Sequence, residues 1–283
     1  MSTQALQRVI VRMLFDPAFC AQVYANASAV LQGIDLTAEE RHWLVMPPLP
    51  AYGADTHRRS RALTGLLEEY PVAGSLAVRS AKGVERLYHF FASTYFHRCV
   101  QERGSMAEAF GHYLQSERFA DVREIARMAA IELGVVQVRR APDLPPSRSA
   151  PRASDFRVRL APWVRLLQVH ATALARYSKL FGHLRQYKAS LLEAILDTSW
   201  RLPAGPNAPG AAQEWLMIVG IPGEDGPSLE AASHELGTLL AAAQQDVACS
   251  ELCDLAVRLG AETTEAADVV AGFLADRLLI RVP

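Results

Sequence analysis

The chain has 283 residues, half of them hydrophobic and 21% charged, which describes a globular chain long enough for one large or two smaller domains and excludes disorder as the main state. Twenty-nine Lys and Arg against thirty Asp and Glu leave a formal charge of −1, so the basic excess that non-specific nucleic-acid binding draws on is missing and any such contact must be local. The four cysteines, Cys20, Cys99, Cys249 and Cys253, are too sparse for a disulfide framework and lack CxxC spacing, a usage that suits a reducing cytoplasm.

The opening residues carry Arg8 and Arg12 inside an apolar periodicity, without the continuous apolar segment of a signal peptide. No window reaches the roughly eighteen uninterrupted apolar residues that a membrane span needs, and the expected location is the cytoplasm. Leu6, Val9, Ile10, Met13 and Leu14 recur at helical spacing and predict a helix over Thr3 to Leu14. Asp16-Pro17 stops it and caps a second helix running towards Leu31. Thr37 and Glu40 have the spacing of a capping box opening a short helix through Trp43 and Leu44, and Pro47, Pro48 and Pro50 close this unit.

The polar, basic stretch from Ala51 to Arg61 reads as a junction, after which Leu63, Leu66, Leu67 and Tyr70 return to helical period until Pro71. Further helices are expected from Val84 to Cys99, from Ser105 to Leu114 and from Asp121 to about Val138, the first dense in aromatic residues. The Pro- and Ser-rich stretch over 141–154 reads as an interdomain linker. Beyond it, Phe156 to Leu160 alternates as a strand would, Val164 to Val169 continues in the same manner, and Ala171 to Trp200 reads as mostly helical. Glu214 to Gly220 is the strongest strand in the chain, its apolar run arguing burial on both faces. Helices follow over Ser228 to Gln244, Cys249 to Leu259 and Glu262 to Arg277, then a strand-like tail over 278–282. A strand, three helices and a terminal strand is a winged-helix order.

No phosphate-binding glycine loop, nucleophile elbow or HExxH motif is present. His89 and His97 fall eight residues apart on one expected helix without a carboxylate pair to complete a metal site, and Cys249 and Cys253, four apart, put both thiols on one helix face as a metal or redox pair would need, although Leu252, Leu255 and Ala256 on the same helix favour a core role. The basic cluster His57, Arg58, Arg59 and Arg61 offers forked donors for a phosphate or an acidic peptide, or forms a solvated junction. Glu262, Glu265, Asp268 and Asp276 make the last helix acidic, which weighs against its use as a DNA-recognition helix.

From Leu63 to about Arg140 the chain resembles the helical partner proteins (HvfC/BufC type, TglI- and MbnC-like) of multinuclear non-heme iron enzymes that modify ribosomally made peptides. The residues that carry this are Glu69-Tyr70-Pro71, Phe90-Phe91 with Tyr95, Ser105 to Phe110 leading to Tyr113-Leu114, and Asp121 to Arg127. Ala231 to Val282 is similar to the peptide-recognition element of PqqD-like proteins, through Leu239-Leu240, Cys253 to Ala256, Asp268 to Leu274 and Leu278 to Ile280. The N-terminal residues Leu14 to Pro17 and Gly33 to Glu40 are similar to the small helical module of extradiol dioxygenase small subunits.

These resemblances imply a mainly α, α+β chain: a helical module over 1–50, a helical partner-type domain over 51–140, the linker over 141–154, and a winged-helix-like peptide-recognition domain over 155–283. They imply a non-catalytic subunit without a cofactor of its own, which captures the leader of a precursor peptide and presents it to a TIM-barrel iron enzyme that oxidises peptide cysteines. The leader would add as a strand beside Trp215, Met217 and Val219 and pack on Val270, Phe273 and Leu274. The cluster at His57, Arg58, Arg59 and Arg61 would meet the enzyme, whose iron supplies the chemistry. The alternatives are a winged-helix DNA-binding regulator and a dioxygenase subunit, the latter resting on the first fifty residues alone.

Overall fold

In the computed structural model, which describes residues 3–142, 156–187, 190–199, 201–203, 212–220 and 226–282, the N-terminal periodicity becomes two helices, α1 (Thr3–Phe15) and α2 (Pro17–Val30). Asp16 separates them: its carboxylate accepts the Phe19 N–H at 3.0 Å, while Pro17 takes the first helical position, where a missing N–H costs nothing. The capping box is present at the head of α3 (Ala38–Val45), Thr37 Oγ1 accepting from Glu40 N at 3.1 Å and Glu40 accepting from Thr37 N at 2.8 Å.

Helices α4 (Leu49–Tyr52) and α5 (Arg58–Glu69) follow, and Pro71, which ends α5, also begins α6 (Pro71–Arg79). The single helix expected from Val84 to Cys99 is three pieces: α7 (Gly83–Tyr88), a 3-10 turn (His89–Ala92) and α8 (Thr94–Glu102). Ser93 makes the break, its hydroxyl accepting the Phe96 N–H at 3.3 Å and so starting a new helix. Then come α9 (Met106–Leu114) and α10 (Arg123–Arg139).

Phe90, Phe91, Phe96 and Phe110 are fully buried, with ring centroids 5.2–5.5 Å apart around Phe90. Phe15, at the end of α1, joins them at 5.2 Å from Phe91 and 5.3 Å from Phe96. The N-terminal helices have a buried cluster of their own, from Val9 to Leu44, and Phe15 links it to the aromatic core of the helices that follow.

The chain divides into two compact units, Met1–Glu132 with Phe181–Leu202, and Leu133–Leu180 with Pro203–Pro283. This differs from the linear boundaries that the sequence suggests. Helix α10 and helix α11 (Ala173–Arg185) each contribute residues to both units, and α12 (Leu191–Leu196) belongs to the first. Of the expected linker, Ala141 and Pro142 are described and the rest lies outside the described residues.

Two polar anchors organise the first unit. Glu132, only 1% exposed, accepts the N–H groups of Val72 at 2.8 Å and Ala73 at 3.0 Å, capping the first turn of the buried helix α6 from the side of α10. At the other end of α6, the Arg79 guanidinium donates to the carbonyls of Ile195 at 3.0 Å, Ala194 at 3.3 Å and Asp197, which are the orphan acceptors at the end of α12. Asp197 in turn accepts from Ser199 N at 2.8 Å and from the Tyr187 hydroxyl, which hold its carboxyl down at about 2.

In the second unit the strands are β1 (Arg157–Leu160), β2 (Val164–His170), β3 (Gln213–Val219), β4 (Ser228–Ala232), β5 (Val247–Ala248) and β6 (Leu279–Val282). They form two antiparallel three-stranded sheets, ordered β5-β1-β6 and β2-β3-β4. Helices α13 (His234–Ala242), α14 (Cys249–Arg258) and α15 (Ala266–Ala275) complete it. Ser228 to Ala232, expected to be helical, pairs with β3, and the helix starts at His234, six residues later than expected, with Ser233 as its cap accepting the Leu236 N–H at 3.2 Å. The described residues are thus mainly helical with two small sheets, and no helix among them is long and apolar enough to cross a membrane.

Burial pushes the Glu132 carboxyl up to about 8, against the pull of its two N–H donors. A raised carboxyl contributes stability that is complete below the ordinary carboxylate range and lost as pH climbs towards 8, so the denaturant midpoint should fall across that window and Glu132→Gln should flatten the fall. Arg79→Ala leaves three carbonyls without their donor; it should cost about 2 kcal/mol or more and open Phe181–Leu202 to limited proteolysis before the rest of the unit.

Candidate functional site

Leu216 to Val219 of β3 are buried, as a strand covered on both faces requires. Alternation sends Trp215, Met217 and Val219 to one face and Leu216 and Ile218 to the other. On the first face Gly237 of α13 admits the indole: a Cβ built there would stand 2.1 Å from Trp215 Cγ and Cδ1. On the second, Gly134 of α10 does the same for Ile218, whose Cδ1 would lie 2.5 Å from an added Cβ.

β3 is the central strand of its sheet. Met217 is registered with Leu166 of β2 on one side and with Glu230 of β4 on the other, so both of its backbone edges are paired. The expectation that a peptide strand adds directly to Trp215–Val219 is therefore corrected: the free edges of this sheet are β2 and β4. β4 is the more open, with Ser228, Glu230 and Ala231 exposed and Leu229 and Ala232 half-buried. Cross-strand pairing puts Ala232, Glu230 and Ser228 on the same face as Trp215, Met217 and Val219.

The six residues expected to touch a peptide separate by depth. Met217, Val219 and Val270 are 7%, 9% and 1% exposed and belong to the core, where no peptide reaches them. Trp215, Phe273 and Leu274 pack against that core while remaining half-exposed, and of the three Trp215 stands next to the β4 edge, opposite Ala232. Glu262, Glu265, Asp268 and Asp276 are all exposed on and around α15, and residues 226–282 carry nine acidic side chains against three arginines, an unfavourable surface for a polyanion.

The basic cluster has mostly intramolecular work. Arg58 donates to the carbonyls of Leu14 and Tyr52, each at 3.3 Å, tying α5 to the ends of α1 and α4. Arg61 grips Asp55 through both carboxylate oxygens at 3.2 and 2.5 Å and holds that carboxyl below its usual range. The Arg59 guanidinium lies 5.6 Å from the Tyr88 ring, and His57 is exposed. Arg59 and His57 are the members left to meet a partner.

Cys249 and Cys253 are half-buried on α14 against the core of the second unit, and His89 and His97 lie on separate elements, His89 in the 3-10 turn and His97 in α8. Among the described residues there is no group of three or more His, Cys, Asp or Glu side chains that could hold a metal ion. His97 instead faces Asp16, Nε2 to Oδ2 3.3 Å, beside Arg12, and burial together with that guanidinium holds its imidazole below the ordinary value. Sequence reasoning passed over this cluster; the signal was Arg8 and Arg12 standing within the apolar stripe of α1. Comparison with known proteins finds no match to any family model and none among curated proteins.

Gly237→Ala should displace the indole, costing about 1–3 kcal/mol, and red-shift Trp215 fluorescence, a change read against a Trp215→Phe background to isolate the other three tryptophans.

Proposed function

We propose that this chain is a non-catalytic adaptor: its second unit captures the leader of a precursor peptide, and its first unit docks a TIM-barrel, multinuclear iron enzyme that oxidises cysteines of the same peptide. The observation that carries the reading is the open β4 edge beside the half-exposed Trp215, in a unit whose core also leaves Phe273 and Leu274 half-exposed. An extended peptide entering there gains main-chain hydrogen bonds from the edge and specificity from those apolar side chains. The succession of β4, three helices and a closing strand β6 paired with β1 is compatible with a winged-helix-like recognition domain. Tethering raises the effective concentration of the peptide's reactive residues at the enzyme, and the iron and its redox chemistry belong to that enzyme.

The test is co-expression with an iron enzyme of this class, size-exclusion of the complex, and fluorescence anisotropy with the labelled leader. Backbone N–H groups alternate between the two edges of a strand, so one of Glu230→Pro and Ala231→Pro removes a donor from the free edge and leaves the β3 ladder whole. That variant should keep its melting temperature and lose leader binding at least tenfold. Unchanged leader binding in both folded variants sinks the β4 assignment. Failure of both enzyme and peptide to bind, with a DNA fragment retarded at physiological salt, would replace the adaptor by a winged-helix regulator.

A further inference from the structure

A cleft of about 370 Å³ opens beside α1, lined among others by Arg8, Arg12, His97, Val9, Phe19 and Asp35. Its position follows from the sequence of α1: Arg8 and Arg12 are one turn apart and share a face with Val9 and Met13 close by, so two like charges are carried into a partly apolar setting. The Arg12 guanidinium carbon lies over the Phe19 ring, 3.7 Å from its centroid. Val9 and Phe19, both 4% exposed, give the cleft an apolar floor.

The donors around this floor are underused. Arg8 Nε and Arg12 Nε are shut off from solvent and make no hydrogen bond, while His97 Nε2 lies 3.3 Å from Asp16. Burial depresses the Arg12 guanidinium, with Asp16 as the opposing attraction. A buried guanidinium nitrogen without an acceptor is costly, and that cost is recovered when an acceptor enters. The nearest carboxylates do not fill that place. Asp16 is engaged as the cap of α2 at 3.0 Å and faces His97, and Asp35 is exposed.

We propose that this cleft is a binding site for a carboxylate carried on a compact apolar body. The charge balance selects a monoanion. Arg8 and Arg12 are opposed by the buried Asp16 and, in the lining of the cleft, by Asp35, so the surplus of positive charge is small and a singly charged carboxylate suits the cleft better than a phosphate dianion. The fork of Arg8 suits the two oxygens of a carboxylate, and Val9 with Phe19 suits an aliphatic or aromatic remainder. The carboxylate is that of a small organic acid or of a peptide terminus, and the site does not depend on the adaptor reading.

The experiment is calorimetric and thermal-shift titration of the full chain with sodium benzoate, with sodium chloride at equal ionic strength and inorganic phosphate as controls. Benzoate should raise the melting temperature saturably, and Arg8→Gln, which keeps the length of the stem and removes the guanidinium, should weaken it at least tenfold while shifting the ligand-free melting temperature little. Arg8→Lys should fall between the two. The Nε–H resonances of Arg8 and Arg12 should move on adding benzoate to the native chain, a readout that survives if Arg12 variants fail to fold. A tripeptide with a free terminal carboxylate, compared with its amide, identifies the source: tighter binding of the acid than of benzoate points to a peptide terminus, and binding no tighter than benzoate points to a small organic acid. No saturable benzoate effect, an equal effect in Arg8→Gln, or tighter binding of phosphate than of benzoate overturns the proposal.

Discussion

Helix α6 is buried along almost its whole length, Pro71 to Ser75 and Ala77 to Val78 being inaccessible, so water cannot satisfy its terminal backbone groups. Buried N–H groups must be paired, and side chains from elsewhere in the first unit supply the partners. Glu132 accepts two of them at the head of the helix, and from its last turn Arg79 extends the same service to the end of α12. One buried acid and one half-buried guanidinium thereby bind three stretches of chain that are far apart in sequence. The apolar contacts around α6 supply the larger share of the burial energy, but they are non-directional, and it is the hydrogen bonds that fix which helix end meets which side chain.

The second unit is governed by steric constraints. β3 is covered on both faces, which its sequence of four consecutive buried apolar residues demands, and covering it at close range requires glycine where helices α10 and α13 cross it. Trp215 sits where one of these crossings ends, half in the core and half at the surface. The same geometry removes β3 from consideration as a docking edge and passes that role to β4, whose backbone is paired on one side only. Depth in the core, more than residue type, separates side chains that hold the sheet from those that could meet a ligand.

Charge is distributed unevenly over a chain that is nearly neutral as a whole. The acidic residues concentrate over 226–282, whereas Arg8 and Arg12 lie with His97 in the first unit. The arginines of the expected docking cluster illustrate how easily a basic run is misread. Arg58 and Arg61 are spent on backbone carbonyls and on Asp55, because a guanidinium with five donors finds acceptors within the fold before it finds a partner.

Much of the local structure was legible in the amino-acid sequence. Asp16-Pro17, Thr37 with Glu40, and Ser105 announce helix starts because capping acts within three or four residues, and the apolar run of β3 announces a doubly covered strand. Non-local features were decided by tertiary structure alone. Ser233 marks where α13 starts, but only β3 lying alongside makes Ser228 to Ala232 a strand, nothing near Glu132 reveals its partners sixty residues earlier, and the membership of Phe181–Leu202 in the first unit depends on carbonyls that Arg79 can reach only after folding. Capping and periodicity are written in neighbouring residues, whereas strand pairing, unit boundaries and the cleft beside Arg8 arise where distant segments meet, and a linear pattern contains no distances between them.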